Sequence, residues 1–315
     1  MTPATTAAFH ARWHGLKRAF DAEAPALARG WFATLPPAER ERIVALVVAG
    51  KSARGLLSCL VCEALGGTFG DALPRAVAIE CLQAASLVHD DVVDADVERR
   101  GAPAQWLTLG ARRAVLLGDV MFATMLSVAA RRSRDDLLVL ADAIATVAAG
   151  AFVEPFAGDE RGSGTVQGAG DVYDHVIHCK TGALFGAAAA LGAVAASAPH
   201  GLRHAAFAFG ARVGEAYQIA DDIADLIVAP RTWPAGGEST LAAIVSRFLA
   251  ARGEAAQERT PDGHPFARLR PGLEREIDRR VRQAREALDA FPSSAPTLLL
   301  HAAPGYIIGL QGAAG

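Results

Sequence analysis

Two stretches of this sequence repeat one carboxylate spacing. Residues 90–94 read Asp90-Asp91-Val-Val-Asp94, and residues 221–225 read Asp221-Asp222-Ile-Ala-Asp225. Each follows an apolar run of helical character. Residues four apart share a helix face, so Asp90 and Asp94 point one way, as do Asp221 and Asp225, with Asp91 and Asp222 flanking. Six carboxylates in apolar helices are costly unless a cation neutralises them. Their oxygens suit Mg²⁺, which keeps waters and takes one or two carboxylates plus substrate phosphates. Two such clusters facing each other would hold a diphosphate wrapped in magnesium. A single copy would read as a solvated acidic patch; two copies 131 positions apart point to chemistry.

The flanks fit a phosphate. Arg99-Arg100-Gly101 follows the first motif by one to two helical turns, and arginine makes forked contacts to phosphate. Tyr217-Gln218 precedes the second, with Gln218 three residues before Asp221 and on the same face.

The elements that must position these groups read as helices. Helical periodicity dominates, and no clean run of alternating strand pattern appears. Pro and Gly punctuate segments the size of long bundle helices. This predicts an all-α fold, one large bundle of about ten or more helices around a central cavity, as a single domain over 1–315. Segments 155–170 and 253–270 read as polar surface loops. Segment 272–290, with Arg and Glu at helical spacing, reads as a solvated amphipathic helix.

The motif set resembles the all-trans isoprenyl diphosphate synthases, the polyprenyl synthase family, over about Gly50 to Asp225, and is geranylgeranyl diphosphate synthase-like. Gly50-Lys51-Ser-Ala-Arg54-Gly-Leu56 is similar to the family's basic motif, which implies Lys51 and Arg54 as ligands of isopentenyl diphosphate, with Gln83 and Arg100 helping. Asp90, Asp91 and Asp94 match the first aspartate-rich motif, and Gln218, Asp221, Asp222 and Asp225 the second. Arg99 matches an arginine on the allylic diphosphate. Gly118-Asp119 matches a Gly-Asp pair. Lys180-Thr181 matches a segment whose lysine reaches the allylic diphosphate and steadies the cation.

The resemblance implies Mg²⁺, three ions with substrate bound, and a homodimer. It implies ionisation of an allylic diphosphate, attack by the double bond of isopentenyl diphosphate, and loss of a proton to released diphosphate. In the family, bulky residues four or five positions before the first Asp close the product cavity. Here those positions hold Ala85 and Ser86. One turn is about 5.4 Å, roughly one isoprene unit, so the product expected is C20 or longer. A class I terpene cyclase would need no isopentenyl site, and a regulatory subunit would need no six aspartates.

Departures from the family pattern fall at Pro155 and Phe156, in the shortened loop 226–238 where Arg231 and Glu238 stand for lysines, and at a C-terminus without a basic residue.

The remaining composition is consistent with this. The chain of 315 residues is 51% hydrophobic with formal charge −3, so nothing argues for nucleic acid. Cys59, Cys62, Cys81 and Cys179 read as reduced core residues of a cytoplasmic protein. No secretory signal is visible. The uncharged run 181–199 is Ala- and Gly-rich, and reads as a buried central helix rather than a membrane span. His89 reads as a supporting or core residue. His175 and His178 read as surface positions, Asp135-Asp136 as a solvated helix start, and Tyr173 as core or as sharing the face of Lys180. Trp106 would cap the site or simply pack.

Overall fold

A computed structural model describes residues 2–153, 169–228, 240–253 and 269–312. The chain is all-α, as expected. Its helices are α1 Pro3–Trp31, α2 Pro37–Val48, α3 Ala53–Ala64, α4 Phe69–Val93, α5 Gln105–Leu109, α6 Ala111–Arg132 and α7 Arg134–Val153, then α8 Ala169–Ile177, α9 Ala183–Ala195 and α10 His200–Val228, then α11 Thr240–Ala251, α12 Arg270–Ala287, α13 Ala295–Leu300 and α14 Ala303–Gly312. A π-helical turn, His178–Gly182, joins α8 to α9.

Local chemistry sets several boundaries. Thr68 and Asp71 form a capping box at the head of α4, the Thr68 hydroxyl accepting from the Asp71 N–H and the Asp71 carboxylate from the Thr68 N–H. Such reciprocal caps satisfy backbone donors that a helix start leaves open. Ser133 caps α7 by accepting from the Asp136 N–H at 3.0 Å. Among the described residues the strands are β1 Glu98–Arg99 and β2 Ala102–Pro103, paired antiparallel. Arg100 and Gly101 join them with φ of 56° and 75°. Positive φ at both central residues marks the turn that matches strand twist. Two-residue strands are too short for an alternating pattern, so the hairpin left no trace in the periodicity.

The chain forms two compact units. The first comprises Met1–Ile144, Ala187–Phe207 and Ala290–Ala303. Its core gathers Phe9, Leu16 and Phe20 of α1, Leu56 and Leu57 of α3, and Ile79 of α4. Helix α3 is buried along nearly its whole length. The second unit comprises Ala145–Gly186, Ala208–Asp289 and Pro304–Gly315. Tyr173, Ile177, Ile219, Val245, Phe248 and Leu273 form its core.

Two expectations need correction. Asp136 is buried rather than solvated, because Arg75 pairs with it through Nε at 2.6 Å and Nη2 at 3.0 Å. Helix α12 is not simply a solvated surface helix, since Leu273, Glu276, Arg280 and Ala284 are buried. All four cysteines are buried free thiols, as expected. Two helical stretches, Ala111–Arg132 and Val172–Ala195, are long and apolar enough to cross a membrane. The most apolar part of the second is 83% buried inside the protein, as a core helix would be.

Candidate active site

The first cluster stands where α4 ends. Asp90 is half-buried, Asp91 is buried and Asp94 is exposed. Asp94 caps the helix, its N–H donating to the Asp90 carbonyl at 2.8 Å. Arg99, on β1, donates from Nε to Asp91 Oδ1 at 2.7 Å and from Nη2 to Asp96 Oδ2 at 2.7 Å. Trp106 Nε1 donates to the Asp96 carbonyl at 2.6 Å. The tryptophan therefore fixes the loop after the motif.

Arg100 turns away from Arg99 and donates to the Ala49 carbonyl. Gln83, Glu80, Asp91, Arg99 and Arg100 line a cavity of about 500 Å³, walled also by Arg42 of α2 and Gln105 of α5. Lys51 and Arg54 lie half-buried at the head of α3. Glu80, buried, accepts from the Gly55 N–H at 2.7 Å. Burial pushes its carboxyl above the usual range, against the opposing pull of that N–H and of Arg54 and Arg100. Lys51 just before α3, Arg54 on α3, Gln83 on α4 and Arg100 in the hairpin thus belong to one unit, with Glu80 electrically close to both arginines.

His89 is a packing residue. Its Nε2 lies 2.9 Å from the Val115 carbonyl and its ring meets Phe122 edge-on. A Cβ at Gly118 would overlap that ring, so the glycine admits the histidine and lets α4 and α6 approach. Ala85 is completely buried, whereas Ser86 is half-buried and donates to the Gln83 carbonyl at 3.0 Å.

The second cluster belongs to α10. Asp221 is half-buried, Asp225 exposed and Asp222 buried. Tyr173 of α8 donates to Asp222 Oδ2 at 2.6 Å, and Gln218 donates to Oδ1 at 2.9 Å. Thr181 donates in turn to Gln218 Oε1 at 2.6 Å. Burial raises the Asp222 carboxyl to about 6, and the two donors hold it down from going further. Lys180 is exposed while Cys179, Thr181 and Gly182 around it are buried, and its charge acts on both Asp222 and Asp225.

Sequence reasoning missed Glu80, Glu215 and Arg280. For Glu80 and Glu215 the signal was a charged residue inside an apolar run, as in Ala78-Ile-Glu80-Cys-Leu82, whereas Arg280 sits among other charges and carried none. His178, expected at the surface, is held by Glu215, and His175 is exposed. The departures at Pro155, Phe156, Arg231 and Glu238 lie outside the described residues.

The donor set suits a hard divalent cation. Asp90 and Asp221 are half-buried and Asp94 and Asp225 exposed, while Asp91 and Asp222 are engaged by Arg99, Tyr173 and Gln218. Among the described residues no three His, Cys, Asp or Glu side chains converge to hold an ion by themselves. Magnesium bound by one or two carboxylates completes its shell with phosphates and water, so the carboxylates of each motif, taken by themselves, fit it.

The Polyprenyl synthetase family model matches residues 40–234. A short-chain isoprenyl diphosphate synthase of Methanothermobacter thermautotrophicus is 33% identical over 182 residues, 58% of this chain and 56% of that protein. A geranylgeranyl diphosphate synthase of Mycobacterium tuberculosis is 32% identical over 188 residues, 58% of this chain and 52% of that one. The chain thus spans about half the length of these curated relatives. A polyprenyl synthase of Caulobacter crescentus, crystallised with calcium and isoprenyl diphosphate, superposes with TM-score 0.73 at 27% identity, covering 94% of this chain and 96% of that one.

Proposed function

The chain belongs to the polyprenyl synthetase family, and from that membership we propose that it is a trans-prenyltransferase joining an allylic diphosphate to isopentenyl diphosphate. The observation that carries the proposal is the design shared by the two aspartate motifs. Each has one buried carboxylate engaged by the protein and two others nearer solvent, with a cation close by: Arg99 for the first and Lys180 for the second.

Magnesium, three ions in this proposal, held by Asp90, Asp94, Asp221 and Asp225 with Asp91 and Asp222 in support, would supply positive charge to the leaving diphosphate. Arg99, Lys180 and Thr181 bind the allylic diphosphate, and Gln218 steadies Thr181 and Asp222. Lys51, Arg54, Gln83 and Arg100 hold isopentenyl diphosphate with its double bond toward the allylic carbon. The allylic C–O bond breaks, the C–C bond forms from the π electrons of that double bond, and the proton lost goes to the released diphosphate. Fixed positive charge aimed at the departing oxygen is the main catalytic term.

Small side chains at Ala85 and Ser86 support a product of C20 or longer. A homodimer in the cytoplasm, without a membrane span, completes the proposal. The free thiols support the reducing compartment.

The test supplies purified protein with Mg²⁺ and farnesyl diphosphate, with and without isopentenyl diphosphate, and reads products by mass. A longer diphosphate only when both substrates are present is expected. Cyclised hydrocarbon from farnesyl diphosphate alone would make the protein a terpene cyclase instead.

A further inference from the structure

The π-helical turn His178–Gly182 is held from outside. Such turns are rare and appear inside α-helices frequently at functional sites. The turn sends Lys180 to solvent while its neighbours stay buried. Two hydrogen bonds tie it to α10. One is the bond from Thr181 to Gln218 already described. The other joins His178 Nδ1 to Glu215 Oε1 at 2.9 Å.

Glu215 is 2% exposed and does not act alone. Its Oε2 accepts from Arg280 Nη1 at 2.6 Å and from Arg212 Nη1 at 2.6 Å. Arg280, also buried, donates from Nε to Glu276 at 2.7 Å and also pairs with Asp174 of α8. Two glycines let the backbones close to the distance this needs. A Cβ at Gly182 would stand 2.9 Å from Glu215 Cγ, and one at Gly214 would stand 2.9 Å from the Thr181 carbonyl.

Buried ion clusters are expensive, and hydrophobic replacements are often as stable. Stability therefore does not account for placing this one against an irregular turn. From this geometry we infer that His178, Glu215 and Arg280 form a clamp that positions the π turn, setting where Lys180 stands relative to Asp222 and Asp225. Arg280 orients Glu215, Glu215 orients His178, and His178 fixes the first residue of the turn. Thr181 fixes the fourth, so Lys180 lies between two anchored points. These are positioning residues, and the inference rests on the prenyltransferase reading above.

Removing Glu215 would strand Arg280 in the interior and risk unfolding, so His178 is the residue to change. His178→Ala removes one donor from a half-exposed side chain and leaves the Glu215–Arg280 pair intact. His178→Gln restores an N–H donor. Two measurements are made on the full chain: hydrogen exchange of the 178–183 amides, and calorimetric binding of inorganic pyrophosphate with magnesium.

For His178→Ala we expect about tenfold faster exchange confined to the turn, and about tenfold weaker pyrophosphate binding, the scale of one lost charge-assisted hydrogen bond. His178→Gln should recover both. Unchanged exchange and binding in His178→Ala overturns the clamp, as does faster exchange without weaker binding. Failure of the native protein to bind magnesium pyrophosphate overturns the prenyltransferase reading instead, and the exchange measurement still decides whether the clamp holds the turn.

Discussion

Tyr173 donates its hydroxyl hydrogen to Asp222 at 2.6 Å while 1% exposed, so a buried carboxylate of the second motif depends on a helix 49 residues earlier in the chain. With Gln218 on its other oxygen, Asp222 is anchored by the protein. Its neighbours Asp221 and Asp225 lie nearer the surface.

Tyr173→Phe deletes that donor with little change of shape. Leaving a buried carboxylate one donor short costs about 1–3 kcal/mol. The unfolding midpoint in urea should fall accordingly, with an unchanged slope. A midpoint equal to that of the native protein would show that the hydroxyl contributes nothing net.

Lys51→Ala and Arg54→Ala should each raise the Michaelis constant for isopentenyl diphosphate far more than that for the allylic partner. A lost charge-assisted contact is worth about 1.5–3 kcal/mol, or roughly ten- to hundredfold. Steady-state kinetics with each substrate varied in turn gives the comparison. Equal effects on both constants would mean that the head of α3 does not serve isopentenyl diphosphate.

The aspartate motifs stood out in the sequence because each sets carboxylates at fixed spacing into apolar runs, whereas the basic motif before α3 and the Lys180-Thr181 pair came only from the family resemblance. Glu80 and Glu215 stood equally alone in apolar runs, yet their meaning lay in partners far along the chain. Glu80 meets Gly55 across 25 residues and Glu215 meets Arg280 across 65. No local pattern encodes such pairings. The π turn was invisible because no residue type selects it, and it arises from tertiary contacts at both its ends. Asp136 misled because an acidic residue at a helix start is usually solvated, whereas Arg75 draws this one inward.

Native protein should release a product of C20 or longer, and Ser86→Phe should shorten it toward C15. Ser86 is the better of the two positions, because it is partly exposed while Ala85 is fully enclosed. Ala85→Phe would overpack the core at a cost of about 1–3 kcal/mol. Mass analysis of products from native and Ser86→Phe protein decides. A native product already limited to C15 refutes the argument from small side chains.

Glu80 predicts a pH dependence of stability. Burial raises its carboxyl above the unfolded value, so between the two values the folded chain binds more protons than the unfolded chain. Stability therefore falls as pH rises through that window. Glu80→Gln keeps an acceptor for the Gly55 N–H and cannot ionise, so the fall should flatten. Denaturant titrations of both proteins at a series of pH values measure it, and parallel profiles would show that Glu80 does not titrate there.

The pair Asp91–Arg99 has a thermodynamic corollary. The two side chains neutralise one another, so each is the other's competitor for an outside ligand. A cation drawn to Asp91 loosens Arg99 for an anion, and an anion drawn to Arg99 loosens Asp91 for a cation. Linkage makes this reciprocal: the factor by which metal tightens diphosphate equals the factor by which diphosphate tightens metal. On the prenyltransferase reading proposed above, the Asp91–Arg99 pair weakens the hold on either ligand alone and favours the two arriving as a neutralised pair.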